Sequence, residues 1–241
     1  MGRDVIIACD FSSAEKTFAF LDQFTDVKPF VKIGMELFYA EGPQIVKENK
    51  KRGHKIFLDL KLHDIPNTVK KSMAVLSNLD VDLCNLHAAG TTRMMAAAME
   101  GLTRPDGTRP LLIAVTQLTS TDQQSMEEDL WIKEPIDQVV MHYAHNAAKA
   151  GLDGVVCSPL EAAKVHEVCG KDFITVTPGV RFADGDIGDQ KRVMTPEQAK
   201  KMADISDGAI VGSAIIKILE KYGKDAPKYV GEYVKTMTEN L

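Results

Sequence analysis

Within six residues, Asp59-Leu60-Lys61-Leu62-His63-Asp64 brings together two carboxylates and an ammonium, at the end of the apolar run that begins at Lys55. Asp59 and Lys61 are two apart, so on an extended strand both point to one face. Asp64 comes just after, where the chain turns at Ile65-Pro66. Charges in apolar strands are costly unless they are paired. Other apolar runs carry similar residues: Asp10 ends the first, Lys32 sits in the second, His87 ends the fourth, Thr119 follows the fifth and Arg181 the seventh. Opposite charges can then alternate as Lys32, Asp59, Lys61, Asp64. A buried ion-pair network that only shapes the fold is the plain alternative, but four charges at one rim exceed what structure needs.

Such an array suits a reaction that leaves a poorly delocalised carbanion, such as loss of carbon dioxide from C6 of a pyrimidine. An ammonium beside the reacting carbon favours the developing charge and can supply the closing proton. A carboxylate facing the departing carboxylate repels it in the ground state. The six histidines form no HxH or HxxxH pair and no cofactor motif is visible, so neither metal nor cofactor is expected.

The elements that must hold these residues alternate. Strand candidates are Val5–Asp10, Phe30–Met35, Lys55–Lys61, Leu83–Ala88, Leu111–Leu118, Gly154–Ser158, Ile174–Gly179 and Ala209–Gly212. Amphipathic stretches lie between or after them: Ala14–Phe24, Gly42–Arg52, Thr68–Leu79, Thr92–Leu102, Pro135–Ala150, Pro159–Val168, Pro196–Met202 and Ala226–Thr238. Ser12-Ser13 before Glu15, and Pro196 before Glu197, are helix-start signals. Strands that read as unbroken apolar runs belong in a parallel sheet covered on both faces. Eight βα units in 241 residues predict one α/β domain over residues 1–241, a (β/α)8 TIM barrel of phosphate-binding type, with a doubly wound sheet as the alternative. The active site of such a barrel lies at the C-terminal ends of its strands. The long Gly- and Asp-rich stretch Val180–Val193 reads as a functional lid or a disordered segment.

A net charge of −5 argues against a general nucleic-acid binder. The apolar start is too short for a signal peptide or membrane span. Cys9, Cys84, Cys157 and Cys169 have no CxxC spacing and read as reduced thiols of a cytoplasmic protein.

FLDLKLHDIPNTV resembles the signature of the orotidine 5'-monophosphate decarboxylases of bacterial type. VKIGMELFY, NLHAAG, LIAVTQLTS, GLDGVVCS, TVTPGVR and GDQKRV follow in that family's order, over about Val5 to Val193. DxKxxD alone is shared with sugar-phosphate decarboxylases. The resemblance implies a homodimer with shared sites and a small nucleotide as substrate. Lys61 would be the proton donor, with Asp59, Asp64 and Lys32 completing the charge network. Asp10 would bond the ribose, and Thr119 would lie by the pyrimidine. Asp64, Ile65 and Thr68 would reach into the partner's site, and Arg181 and Gln190 would hold the phosphate. His63 and His87 are read as structural.

After Val193 the resemblance weakens. Ser213 stands where the family has a phosphate-binding Arg, and TPEQAKKMADISDGAIVGSAIIKILEKYG resembles the last unit of the tryptophan synthase α-subunit. There a Gly-Ser pair at a helix start holds phosphate through backbone N–H groups, a role that Gly212 and Ser213 would take here. The expectation is a chimera with a junction near Thr195, weaker in phosphate binding. A different phosphate-binding barrel lyase and an inactive barrel are the competing readings.

Overall fold

Eight short parallel strands close into a barrel in sequence order, each hydrogen-bonded to its neighbours and the eighth to the first. The computed structural model describes residues 4–24, 28–178 and 206–212, and beyond them 215, 218, 221–223, 226 and 229–233. The strands are β1 (Asp4–Ala8), β2 (Phe30–Gly34), β3 (Ile56–Leu62), β4 (Leu83–His87), β5 (Leu111–Val115), β6 (Gly154–Val156), β7 (Ile174–Thr177) and β8 (Gly208–Val211). The helices are α1 (Ala14–Leu21), α2 (Met35–Glu41), α3 (Gln44–Lys51), α4 (Pro66–Leu76), α5 (Thr91–Leu102), α6 (Gln123–Asp129), α7 (Ile136–Lys149) and α8 (Ala162–Cys169). This is the expected (β/α)8 barrel.

Side chains alternate along each strand and sort into two cores. Outward residues such as Ile7, Val31, Ile33, Leu58, Cys84 and Leu112 pack under the helices. Inward residues Ile6, Phe30, Phe57, Leu83, Ile113 and Ile174 fill the barrel's lower interior. One step further along, the inward positions are Ala8, Lys32, Asp59 and Asn85, and these line a cavity. The alternation thus lays an apolar floor beneath a charged layer.

The helix-start signal at Ser13 acts as expected: its hydroxyl caps α1 by accepting the Lys16 N–H at 3.3 Å. Helix α4 begins at Pro66, two residues before the expected Thr68. Two helices were not anticipated. Met35, read as the end of a strand, begins α2. Helix α6 lies between the fifth strand and α7 and is held by an Asp122–Ser125 capping box. The predicted strand Leu111–Leu118 stops at Val115, and Gln117, Leu118 and Thr119 beyond it line the cavity. Pro196–Met202 and Val180–Val193 lie outside the described residues, as does the end of Ala226–Thr238.

At the opposite end of the barrel one device recurs three times. Asp82, just before β4, accepts the Ile56 N–H at 2.7 Å and pairs with Lys50 at 2.9 Å. Asp153, just before β6, accepts the Leu112 N–H at 2.7 Å and pairs with Arg109 through both carboxylate oxygens. Asp207, just before β8, accepts the Thr175 N–H at 2.9 Å beside His166. Each carboxylate satisfies a backbone donor at the start of the preceding strand, a group that would otherwise lack an acceptor. Asp153→Ala is therefore expected to destabilise the fold by about 1–3 kcal/mol in denaturant titration, while leaving activity unchanged. Unaltered stability would show that this staple contributes nothing.

Candidate active site

The cavity opens at the C-terminal ends of the strands and encloses about 260 Å³. Ala8, Phe57, Val115, Val156 and Ile210 give it apolar walls, and Asp10, Lys32, Asp59, Lys61, Asn85, Gln117 and Thr119 give it polar groups. Asp59 is its electrostatic centre. It is 6% exposed, which leaves water little part in solvating its charge. Its Oδ1 accepts from Lys61 Nζ at 2.6 Å and from Asn85 Nδ2 at 2.7 Å, and its Oδ2 lies 3.4 Å from Lys32 Nζ. Lys32 reaches the other way to Asp10 Oδ1 at 3.1 Å. The result is a chain of alternating charge: Asp10, Lys32, Asp59, Lys61.

The electrostatics follow from that order. Burial pushes the Asp59 carboxyl up, but Lys32 and Lys61, with the hydrogen bonds from Lys61 and Asn85, outweigh it and hold the carboxyl below its usual range. Burial pushes the Lys32 ammonium down, and Asp10 and Asp59 more than reverse this, so it stays charged above the usual lysine range. His87 goes the other way. Burial, then His63 and Lys61, lower its pKa, so it is neutral near pH 7. Its ring lies 5.7 Å from that of His63.

Lys61 does not reach the cavity by simple alternation. Its φ is +52°, in the left-handed region, which costs a non-glycine residue roughly 1–2 kcal/mol. Pairing between β3 and β4 slips here: Leu58 pairs with Cys84, but the next pair is Leu62 with Leu86. The same-face expectation for Asp59 and Lys61 is met at the ammonium, by way of a bulge.

Of the expected array, Lys32, Asp59 and Lys61 come together, and within the chain Asp10 takes the fourth place. Asp64 is exposed, with its Oδ1 accepting the Ile65 N–H at 2.6 Å, because the chain turns away into the Pro66 start of α4. Ile65 and Thr68 are exposed beside it. Thr119 and Gly212 line the cavity. Arg181, Gln190 and Ser213 lie outside the described residues. Gly34 keeps space beside the Lys32 ammonium, where a Cβ would lie 3.3 Å from Nζ, and a Cβ at Gly212 would crowd the Ala8 Cβ at 3.2 Å.

Two polar residues escaped the sequence reading. Asn85 is 1% exposed and sits in the apolar run LCNLH, where an amide in an inward strand position was the available signal. Gln117 is buried on the cavity wall, two residues before Thr119. Among the described residues, no group of three or more His, Cys, Asp or Glu side chains stands together in a way that could hold a metal ion.

Comparison with known proteins gives a consistent result. The model of the orotidine 5'-phosphate decarboxylase / HUMPS family matches residues 3–221. That single match spans Thr195 and gives no support to a junction there. An orotidine 5'-phosphate decarboxylase of Geobacillus sp. is 52% identical over 220 residues, covering 90% of this chain and 91% of the relative. One from Bacillus cytotoxicus is 51% identical over 220 residues, covering 90% and 92%. Among solved structures, an uncharacterized conserved protein from Geobacillus kaustophilus superposes with a TM-score of 0.81 at 43% identity, covering 97% of this chain and 99% of that one. The orotidine 5'-phosphate decarboxylase from Lactobacillus acidophilus gives 0.81 at 36% identity, covering 98% and 99%.

The position of Asp59 sets a pH dependence. Its folded pKa is depressed, so its contribution to stability is fully present above the unfolded carboxylate pKa of about 3.9 and is lost as pH falls from there through the folded value. Between about pH 3.9 and its folded pKa the protein should lose up to about 1.4 kcal/mol per pH unit more than Asp59→Asn does. Denaturant titrations of the two proteins between pH 6 and the acid limit measure this, and parallel profiles would contradict it.

Proposed function

The chain belongs to the orotidine 5'-phosphate decarboxylase / HUMPS family, and we propose that its charged cavity carries out the family's decarboxylation through the Lys61 ammonium. The enzyme converts orotidine 5'-monophosphate to uridine 5'-monophosphate in pyrimidine biosynthesis. The observation that carries the mechanism is the Lys61 Nζ held 2.6 Å from the buried Asp59 carboxylate, above an apolar floor.

In this mechanism the substrate carboxylate lies against the ionised Asp59. Their repulsion raises the ground state and disappears as carbon dioxide departs. The C6–carboxylate bond breaks and its electron pair remains on C6. Lys61 is already charged and in place, so it stabilises that pair without reorganisation and then gives it a proton. Lys61 afterwards recovers a proton from water. Lys32 holds Asp59 ionised and fixes Asp10, which accepts from the ribose. Thr119 lies beside the pyrimidine.

We assign the phosphate to the segment after β8 and to the residues that follow the seventh strand. Backbone N–H groups of Gly212 and Ser213 would receive it, with Arg181 and Gln190 alongside. A neutral N–H pair lacks the bidentate charge-assisted grip of a guanidinium. We also propose a homodimer in which Asp64, Ile65 and Thr68 enter the partner's site. The 66% exposure of Ile65, an apolar side chain next to an exposed carboxylate, supports that reading. The four free thiols suit a reducing compartment, the cytoplasm.

Loss of orotate absorbance on addition of orotidine 5'-monophosphate tests the mechanism. Lys61→Ala should lower kcat by about 10²–10⁴-fold, and a Lys61→Ala enzyme as fast as the parent would refute the assignment. Ser213→Arg should lower KM for the same substrate with kcat held. An unchanged or raised KM would refute the idea of a missing phosphate clamp.

A further inference from the structure

The β3 bulge leaves a local shortage of backbone pairing. Between the Leu58–Cys84 and Leu62–Leu86 pairs, β3 advances four residues while β4 advances two. Lys61 lies in that interval with its backbone in the left-handed region. A ladder hydrogen bond does not satisfy its N–H; the Asn85 side-chain Oδ1 accepts it at 2.8 Å. The other end of the same amide donates from Nδ2 to Asp59 Oδ1 at 2.7 Å. The orientation of the amide follows from chemistry, because a backbone N–H only donates and an ionised carboxylate only accepts.

We propose that Asn85 is a positioning residue: its amide ties the Asp59 carboxylate to the Lys61 backbone across the bulge and so sets the direction of the Lys61 ammonium. The inference rests on the decarboxylase reading above. Three features carry it. Asn85 is buried in an otherwise apolar strand, where an amide is costly unless both ends are bonded. Both ends are bonded, and each partner belongs to the charged array. The backbone strain at Lys61 is stored where Asn85 holds the chain, the usual place for strain that serves a site. A residue that only filled the core would need none of these contacts; a leucine would serve.

Two variants separate the possibilities. Asn85→Asp keeps the shape and the acceptor for Lys61 but puts a second carboxylate beside Asp59. Asn85→Ser is too short to bridge both partners. For each we expect kcat on orotidine 5'-monophosphate to fall on the order of 10²-fold, the effect of a misplacement of about 1 Å, with KM within about threefold of the parent. Like charges disfavour ionisation, so the acid limb of the kcat profile should move to higher pH, further in Asn85→Asp than in Asn85→Ser. Hydrogen exchange at the Lys61 amide should accelerate in Asn85→Ser, with exchange elsewhere in β3 retained. Folded variants that keep the parent's kcat and pH profile, or that change only KM, overturn the proposal. Loss of the fold in both variants also overturns it, by making Asn85 a core residue. A parent without decarboxylase activity overturns the reading beneath it, an outcome distinct from an active parent with unaffected variants.

Discussion

Everything at the top of this barrel depends on keeping one carboxylate ionised with almost no water around it. Asp59 has two ammonium groups and an amide within reach, and a single-charge deletion would leave an uncompensated charge in a low-dielectric place. A buried ion network of this kind is a poor way to stabilise a fold, because the desolvation cost offsets much of the attraction. It is a good way to keep charges fixed before a reaction begins. The strained backbone at Lys61 belongs to the same trade: local stability is lost where a side chain must point in one direction.

The barrel supports that arrangement by dividing its labour between its ends. The floor residues Ile6, Phe30, Phe57, Leu83, Ile113 and Ile174 fill the lower interior with apolar volume. Below them, Asp82, Asp153 and Asp207 tie strand starts together with partly exposed carboxylates. Above the floor the same alternation turns charged and polar groups inward. Acidic residues therefore tie strand starts together at one end and line the cavity at the other, where Asp59 is set apart by its burial and by the two lysines within its reach.

The fold was legible because parallel strands buried on both faces leave unbroken apolar runs, and eight of them alternate with helical patterns. Lys32, Asp59 and Lys61 could be read because charge in such a run is conspicuous, and Asp10 because it ends one. The rest depended on information that spacing does not hold. Alternation alone cannot show the bulge that brings Lys61 inward, since the slip is a matter of register between β3 and β4. Asn85 was hidden by its neutrality: its importance comes from what it bridges. Helices α2 and α6 are single short elements within connections, where a strand end and a loop read equally well. Asp64 lies within the same six-residue motif as Asp59, yet the turn at Pro66 takes it out of this chain's cavity. The motifs that carry the resemblance end near Val193, while the family match runs on to residue 221.

The central claim, that Asp59 stays ionised because two lysines flank it, can be read directly. Carboxyl ¹³C chemical shifts of labelled protein, followed from pH 7 downward, report the titration of each aspartate. The account predicts that the Asp59 resonance stays at its ionised position through the range where ordinary carboxylates titrate, and that it moves into that range or above it when Lys32 is replaced by Met. An Asp59 resonance that titrates at or above about pH 4 in the unaltered protein would contradict the account.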